Sequence, residues 1–164
     1  MRKTLINGIT ALIIVLGSSC AAVQPQASAE CAQYSEDIKT ILPAFSGFGS
    51  MNGRCVQLLN SEKAVIGSLL LAPAGKRERV EGYNDVINTA VVVTPDNKII
   101  GVVLGENSET PRFLQRLKKA GFLYKWNNRT PAEAADLKVD AVTRCTYSSN
   151  AVKAEVSEIL RSHK

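Results

Sequence analysis

Histidine is almost missing from this chain: of 164 residues only His163 carries an imidazole, one place before the C-terminal Lys164. A side chain so near a terminus is poorly held, which argues against a Ser-His-Asp triad or Cys–His nucleophilic chemistry built on it. The four cysteines contain no CxxC pair. A zinc centre needs four soft or imidazole ligands at suitable spacing, so no metal site is expected. Runs of one charge sign are also missing. The net charge is +5, but the basic residues are dispersed. That is not the footprint of a nucleic-acid partner. Internal repeats and low-complexity stretches are absent as well.

What is present at the start sets the compartment. Arg2 and Lys3 form a positive n-region, Leu12–Leu16 ("LIIVL") centres a short apolar run, and "ASA" closes it at Ala27–Ala29. This is the order of a secretory leader with an A-x-A cleavage site. The run is too short to span a bilayer comfortably. Residues 1–29 are therefore expected to be a signal peptide, with 30–164 exported to the periplasm or the extracellular space. "LGSSC" offers lipidation at Cys20 as a weaker reading, because Leu16 stands one place too far upstream of the cysteine. The leader holds Arg2, Lys3 and no acid, which lowers the net charge of +5 to +3 in the mature chain. Cys31, Cys55 and Cys145 remain, an odd number, so at most one internal disulfide forms. The mature length suits one domain with its own core.

The patterning reads as an α+β domain. "YSEDIKTILPAF" places Ile38, Ile41 and Leu42 at helical spacing, with Ser35 as N-cap and Pro43 near the stop. Strands are expected at Cys55–Leu59, Val65–Leu71, Val86–Val93 and Ile99–Leu104. The last two are joined by "TPDNK", where Pro95 pre-sets a turn and Asp96 and Asn97 tolerate its corner. "ETPRFLQRLKKAG" is a helix with Thr110 to cap it, Pro111 at its first position and Gly121 at its stop. "TPAEAADL" repeats the Thr-Pro opening on a shorter piece. Val152, Val156, Ile159 and Leu160 give the final segment, Asn150 to His163, an apolar face to lay on a sheet. The expected architecture is a small antiparallel sheet of about four strands packed with flanking helices.

Just before that helix stands "VDAVTRCTYSSNAV", Val139 to Val152. With Ser148 or Ser149 as N-cap, the helix start offers free N–H groups and a positive dipole end, a ready site for phosphate. Thr143, Thr146, Ser148 and Ser149 add hydroxyls, and Arg144 adds a charge. Taken alone, the loop is better explained by hydroxyl residues collecting at a helix start to cap it than by a phosphate site.

"DAVTRCTYSS" resembles the flavinylation motif of the FMN-binding domain family, which includes the flavin-carrying subunits of the sodium-pumping NADH:quinone oxidoreductase and of Rnf electron-transport complexes. That motif runs Asp, two variable residues, Ser or Thr, Gly, Ala, then Ser or Thr as acceptor. Asp140, Thr143 and Thr146 match it, and Ser148 and Ser149 follow in the trailing hydroxyl positions. "GYNDVINTAVVVTPDNKIIGVVLGENSETP" resembles the family's Gly-Tyr, hairpin and Glu-Thr-Pro sequence in the same order. Together the two pieces cover about residues 65–160. The resemblance implies FMN as cofactor, joined to Thr146 through a phosphoester by a separate flavin transferase that uses FAD. It also implies Glu109 and Thr110 near the flavin, whereas Gly82 and Tyr83 read equally well as a turn glycine beside a packed tyrosine.

Two residues depart from the motif: Arg144 and Cys145 stand where the family has Gly-Ala. Glycine to arginine matters if the position needs φ > 0 or close backbone approach to the phosphate. Otherwise a guanidinium there is an anion clamp. The expected function is an exported FMN-binding protein acting as an electron-transfer relay, with a membrane electron-transport complex as a candidate partner. It reads as a carrier more than a self-contained enzyme. The alternative is a secreted binding or scaffold module that kept the fold and lost the flavin, and a third reading passes electrons through Cys145.

Overall fold

The computed structural model describes residues 25–75 and 78–163. Most of the expected leader, including Cys20, lies outside them. The expected cut after Ala29 falls within the first helix, α1 (Pro25–Ala32), which is followed by α2 (Ser35–Ile41). Five strands come next: β1 (Gly47–Asn52), β2 (Cys55–Leu59), β3 (Val65–Leu71), β4 (Thr89–Val93) and β5 (Ile99–Leu104). They form one antiparallel sheet in the order β1-β2-β3-β4-β5. Then follow α3 (Pro111–Lys119), a 3-10 turn at Phe122–Tyr124, the single turn α4 (Pro131–Ala134) and α5 (Thr146–Ser162).

The sheet is covered on both faces, and β4 shows why. Every residue from Thr89 to Val93 is buried. Successive side chains on a strand point to opposite faces. Val91 and Val93 join Leu70, Val102 and the α5 residues Val152, Val156 and Ile159 in one cluster. Ala90 and Val92 join Leu69, Val103, Cys31, Tyr34 and Ile38 on the other side. The expected apolar face of α5 is thus realised, with Val152, Val156, Ile159 and Leu160 fully buried.

The β4–β5 hairpin forms as its turn residues require. Thr94 N–H donates to the Lys98 carbonyl, and Asn97 N–H to the Thr94 carbonyl, each at 2.9 Å. Pro95 and Asp96 fill the turn, and Asn97 takes φ +62°, the left-handed residue that closes a three-residue hairpin loop. The other long connection is tied down by Arg79, whose Nε lies 2.9 Å from the buried carboxylate of Glu155 on α5. The same guanidinium donates to Asn88 Oδ1 and to the Ile87 carbonyl.

Four details differ from the pattern. A fifth strand, β1, is built from "GFGSMN", whose two glycines and few apolar residues give no strand signal; pairing with β2 makes it. β4 begins at Thr89, three residues after Val86. Ser35 is already helical, with Tyr34 at the N-cap position of α2. The final helix starts at Thr146, four residues earlier than its apolar spacing indicates.

Candidate functional site

The loop before α5 is shaped by one turn. Cys145 N–H donates to the Val142 carbonyl at 2.9 Å, closing the turn Val142–Cys145 with Arg144 in its third place. Arg144 has φ +61°. This is the arrangement of a type II turn, whose third residue is normally glycine or asparagine. For arginine the left-handed conformation costs about 1–2 kcal/mol. The position where the related motif carries glycine therefore does demand a positive φ here, and arginine occupies it under strain.

α5 then begins with its N-terminus open. Its N-cap, Cys145, makes no side-chain capping bond, and no acidic residue lies in the first turn. The first helical bond runs from Ser149 N–H to the Cys145 carbonyl at 2.9 Å. The N–H groups of Thr146, Tyr147 and Ser148 precede that bond and have no carbonyl a turn earlier in the helix to receive them. Together with the dipole end they favour an anion. Thr146 is exposed at the first helical position.

Around Thr146 lies a hollow of about 250 Å³, lined by Tyr83, Phe113, Arg144, Cys145, Thr146, Tyr147 and Ser148. Tyr83 and Phe113 meet edge to face, ring centroids 5.0 Å apart. Tyr83 and Tyr147 are 59% and 68% exposed, an unusual amount of aromatic surface to leave in water beside one depression. Tyr83 is therefore not a packed core tyrosine. The volume is below the roughly 300–1,000 Å³ of a pocket that engulfs a cofactor. A ligand held here keeps part of its surface outside.

Behind the hollow stands Glu109, buried at 6% exposure. Its Oε1 accepts from the N–H of Tyr83 at 2.6 Å and of Asn84 at 3.0 Å, and its Oε2 accepts from the Ser148 hydroxyl at 2.5 Å. Gly82 lies so close to this carboxylate that any Cβ would collide with it. Glu109 thus holds the Tyr83 loop against the start of α5 without lining the hollow. Thr110 is exposed at the N-cap position of α3, makes no side-chain capping bond and does not line the hollow either. The expectation that its hydroxyl caps α3 is corrected: position and Pro111 are as expected, but the hydroxyl does not serve.

The serines are also reassigned from capping. Both are fully buried. Ser149 Oγ donates to the Cys145 carbonyl at 2.8 Å and accepts from Val142 N–H at 3.0 Å, locking the turn onto the helix. Ser148 lines the hollow's floor with its hydroxyl committed to Glu109. Asp140 and Thr143 are exposed beside a different depression, about 490 Å³, shared with Lys125, Arg129 and Lys138. Of the expected site residues, then, Thr146, Arg144 and Ser148 converge on the hollow. Phe113 and Tyr147 join them unforeseen. Tyr147 sits inside the quoted motif, but its exposure on the helix's first turn follows from the helix starting at Thr146.

Among the described residues, Cys31, Cys55 and Cys145 are free thiols. Cys31 and Cys145 lie in separate core clusters on opposite faces of the sheet. Burial pushes the Cys145 thiol up from its ordinary range, and its Sγ lies 3.3 Å from the Phe113 carbonyl. It is a packed thiol rather than a poised nucleophile. Another hollow, about 650 Å³, lies elsewhere, where Arg54 and Arg79 already face Glu30 and Glu155.

Residues 82–161 match the model of the FMN-binding domain family. They are an FMN-binding domain. The match runs from Gly82 through β4, β5, α3, α4 and most of α5, and FMN is the cofactor of such a domain. No curated protein and no solved structure matches the chain. The residues on the hollow fit the cofactor: an exposed hydroxyl on an uncapped helix start suits its phosphate, and exposed aromatic rings suit its isoalloxazine.

Proposed function

We propose that this FMN-binding domain is exported and carries its flavin on Thr146 through a phosphoester, serving as an extracytoplasmic electron relay. The observation that carries the reading is the placement of Thr146. It is the exposed first residue of α5, at an N-terminus with neither capping bond nor acid, on a hollow walled by Tyr83, Phe113 and Tyr147. In this reading the Thr146 hydroxyl would be the acceptor, its Oγ attacking the FMN phosphorus of FAD held by a flavin transferase. The new P–O bond would replace the pyrophosphate bond, with AMP as leaving group and the hydroxyl proton passing to a base of the transferase.

Bound FMN supplies the redox chemistry, accepting and releasing electrons through its ring. The chain's own residues bind and orient. The first turn of α5 would hold the phosphate and the aromatic walls would hold the ring, while Glu109 fixes both parts of the frame by joining Ser148 to the backbone of Tyr83 and Asn84. Among the described residues there is no cluster able to hold a metal ion, and His163 sits at the far end of α5 from Thr146. A relay needs partners, and a membrane electron-transport complex is the proposed one. Export rests on the n-region, apolar run and "ASA" of residues 1–29.

The test is co-expression with a flavin transferase, followed by a denaturing gel read for flavin fluorescence. A phosphoester survives denaturation, so the wild-type band fluoresces and Thr146→Ala is dark. A dark wild-type band with FMN released by acid means the flavin is held without a bond. Absence of flavin in any form ends the relay reading.

A further inference from the structure

We infer that Arg144 is the residue by which this site selects a phosphorylated flavin, clamping the FMN phosphate independently of any covalent bond. The inference rests on the reading that FMN occupies the hollow at Thr146. Three observations lead to it. Arg144 is the only charged side chain among the residues lining that hollow. It is exposed, and it enters no ion pair among the described residues. The Glu109 carboxylate has both oxygens engaged by two backbone N–H groups and the Ser148 hydroxyl.

Position strengthens the case. Arg144 stands two residues before Thr146, and both line the same hollow at the uncapped start of α5. A phosphate there meets two kinds of donor, the helix start and a forked cation suited to bidentate recognition of phosphate. Its left-handed φ of +61° makes arginine a strained choice where glycine is easy. A charge kept at a strained position, unpaired and on the hollow, has an anion as its natural complement. FMN and riboflavin differ only in that anion, which makes the pair a direct probe.

The experiment uses mature protein made without a flavin transferase, so that Thr146 is intact and unmodified. FMN and riboflavin are titrated separately and binding is followed by flavin fluorescence, at low and at moderate salt. Wild type should bind FMN at least about tenfold more tightly than riboflavin at low salt, since hydrogen bonds to charged groups are worth that factor or more. The preference should shrink as salt rises. Arg144→Gln, which keeps the same backbone strain, should bring the two flavins to within about threefold of each other. Arg144→Gly, which relieves the strain, should do the same. Arg144→Lys should retain part of the preference. If FMN stays preferred in both Arg144→Gln and Arg144→Gly, another group, such as the helix start, holds the phosphate and the clamp is overturned. Equal binding of both flavins by wild type overturns the clamp while leaving the site. Failure of wild type to bind either one overturns the clamp and the site together.

Discussion

The Ser148 hydroxyl donates to Glu109 Oε2 at 2.5 Å, and neither group meets more than a trace of solvent. This one bond joins the last helix to the loop that leads into α3. The other oxygen of the same carboxylate receives the N–H groups of Tyr83 and Asn84. Three separate segments of the site are therefore registered by a single side chain.

Glu109→Ala is expected to be costly for that reason. It strands two backbone N–H groups and a buried hydroxyl, and each unsatisfied buried group costs about 1–3 kcal/mol before water or relaxation recovers some of it. A loss of about 2–4 kcal/mol is expected from urea unfolding. Glu109→Gln keeps an acceptor for the two N–H groups and should lose less than half as much. A loss below about 1 kcal/mol for the alanine variant would show that the carboxylate does not organise the site.

Two Thr-Pro helix starts give a controlled comparison. Thr130 is a working cap: its Oγ accepts from Glu133 N–H, and Glu133 Oε2 accepts from Thr130 N–H at 2.7 Å. Thr110 makes no such bond. Thr130→Ala should lose about 0.5–2 kcal/mol, as N-cap truncations do. Thr110→Ala should stay within about 0.5 kcal/mol, the range of surface substitutions. Because Thr110 does not line the hollow, the absorption spectrum of bound flavin should not move either.

These two threonines also mark what was legible in the sequence. Local chemistry was readable: Pro95 and Asn97 made the hairpin turn, Pro111 and Gly121 bounded α3, and the 3.6-residue spacing of Val152, Val156 and Ile159 gave the buried face of α5. Whatever depends on a partner distant in sequence was not. Ser148 and Ser149 look like caps because short hydroxyl side chains favour that place. Tertiary bonds to Glu109 and to the turn draw them inside and let the helix start at Thr146. β1 carries almost no strand signal of its own and exists through its pairing with β2. The strain at Arg144 was posed by the sequence as a question about φ. Only the closed turn Val142–Cys145 answers it.

The three thiols should differ in reactivity. Burial pushes Cys31 up to about 11, and Glu30 beside it adds to the rise, so at pH 8 it is almost entirely a neutral thiol. Cys145 is raised as well and only 4% exposed. Cys55 is half-buried on β2. Since the thiolate is the reactive form, native protein treated with iodoacetamide at pH 8 should be alkylated first at Cys55. Cys31 and Cys145 should follow only after denaturation. Intact mass and peptide mapping would decide it, and early modification of Cys145 would revive a thiol role beside the flavin.

The hydroxyls around α5 make the sharpest separation of roles. Thr146 and Thr143 are both exposed, but only Thr146 lines the aromatic hollow at the helix start; Thr143 faces the depression of Lys125, Arg129 and Lys138. Thr146→Ser should keep the fluorescent label with a flavin transferase, since the attacking oxygen survives. Thr143→Ala should still be labelled, at a reduced level if the transferase reads that hydroxyl. Ser148→Ala loses a buried bond to a carboxylate and should cost about 1–3 kcal/mol, while its labelling per folded molecule stays close to wild type. Arg144→Gly removes about 1–2 kcal/mol of left-handed strain, but frees the unfolded chain by about 0.5–1 kcal/mol. Its stability should therefore rise slightly or stay level. Its labelling should equal or exceed that of wild type, because the transferase delivers the phosphate to Thr146 without needing the clamp. A dark wild type beside a bright Arg144→Gly would mean that the arginine blocks the covalent step, leaving a domain that holds FMN by charge and contact alone.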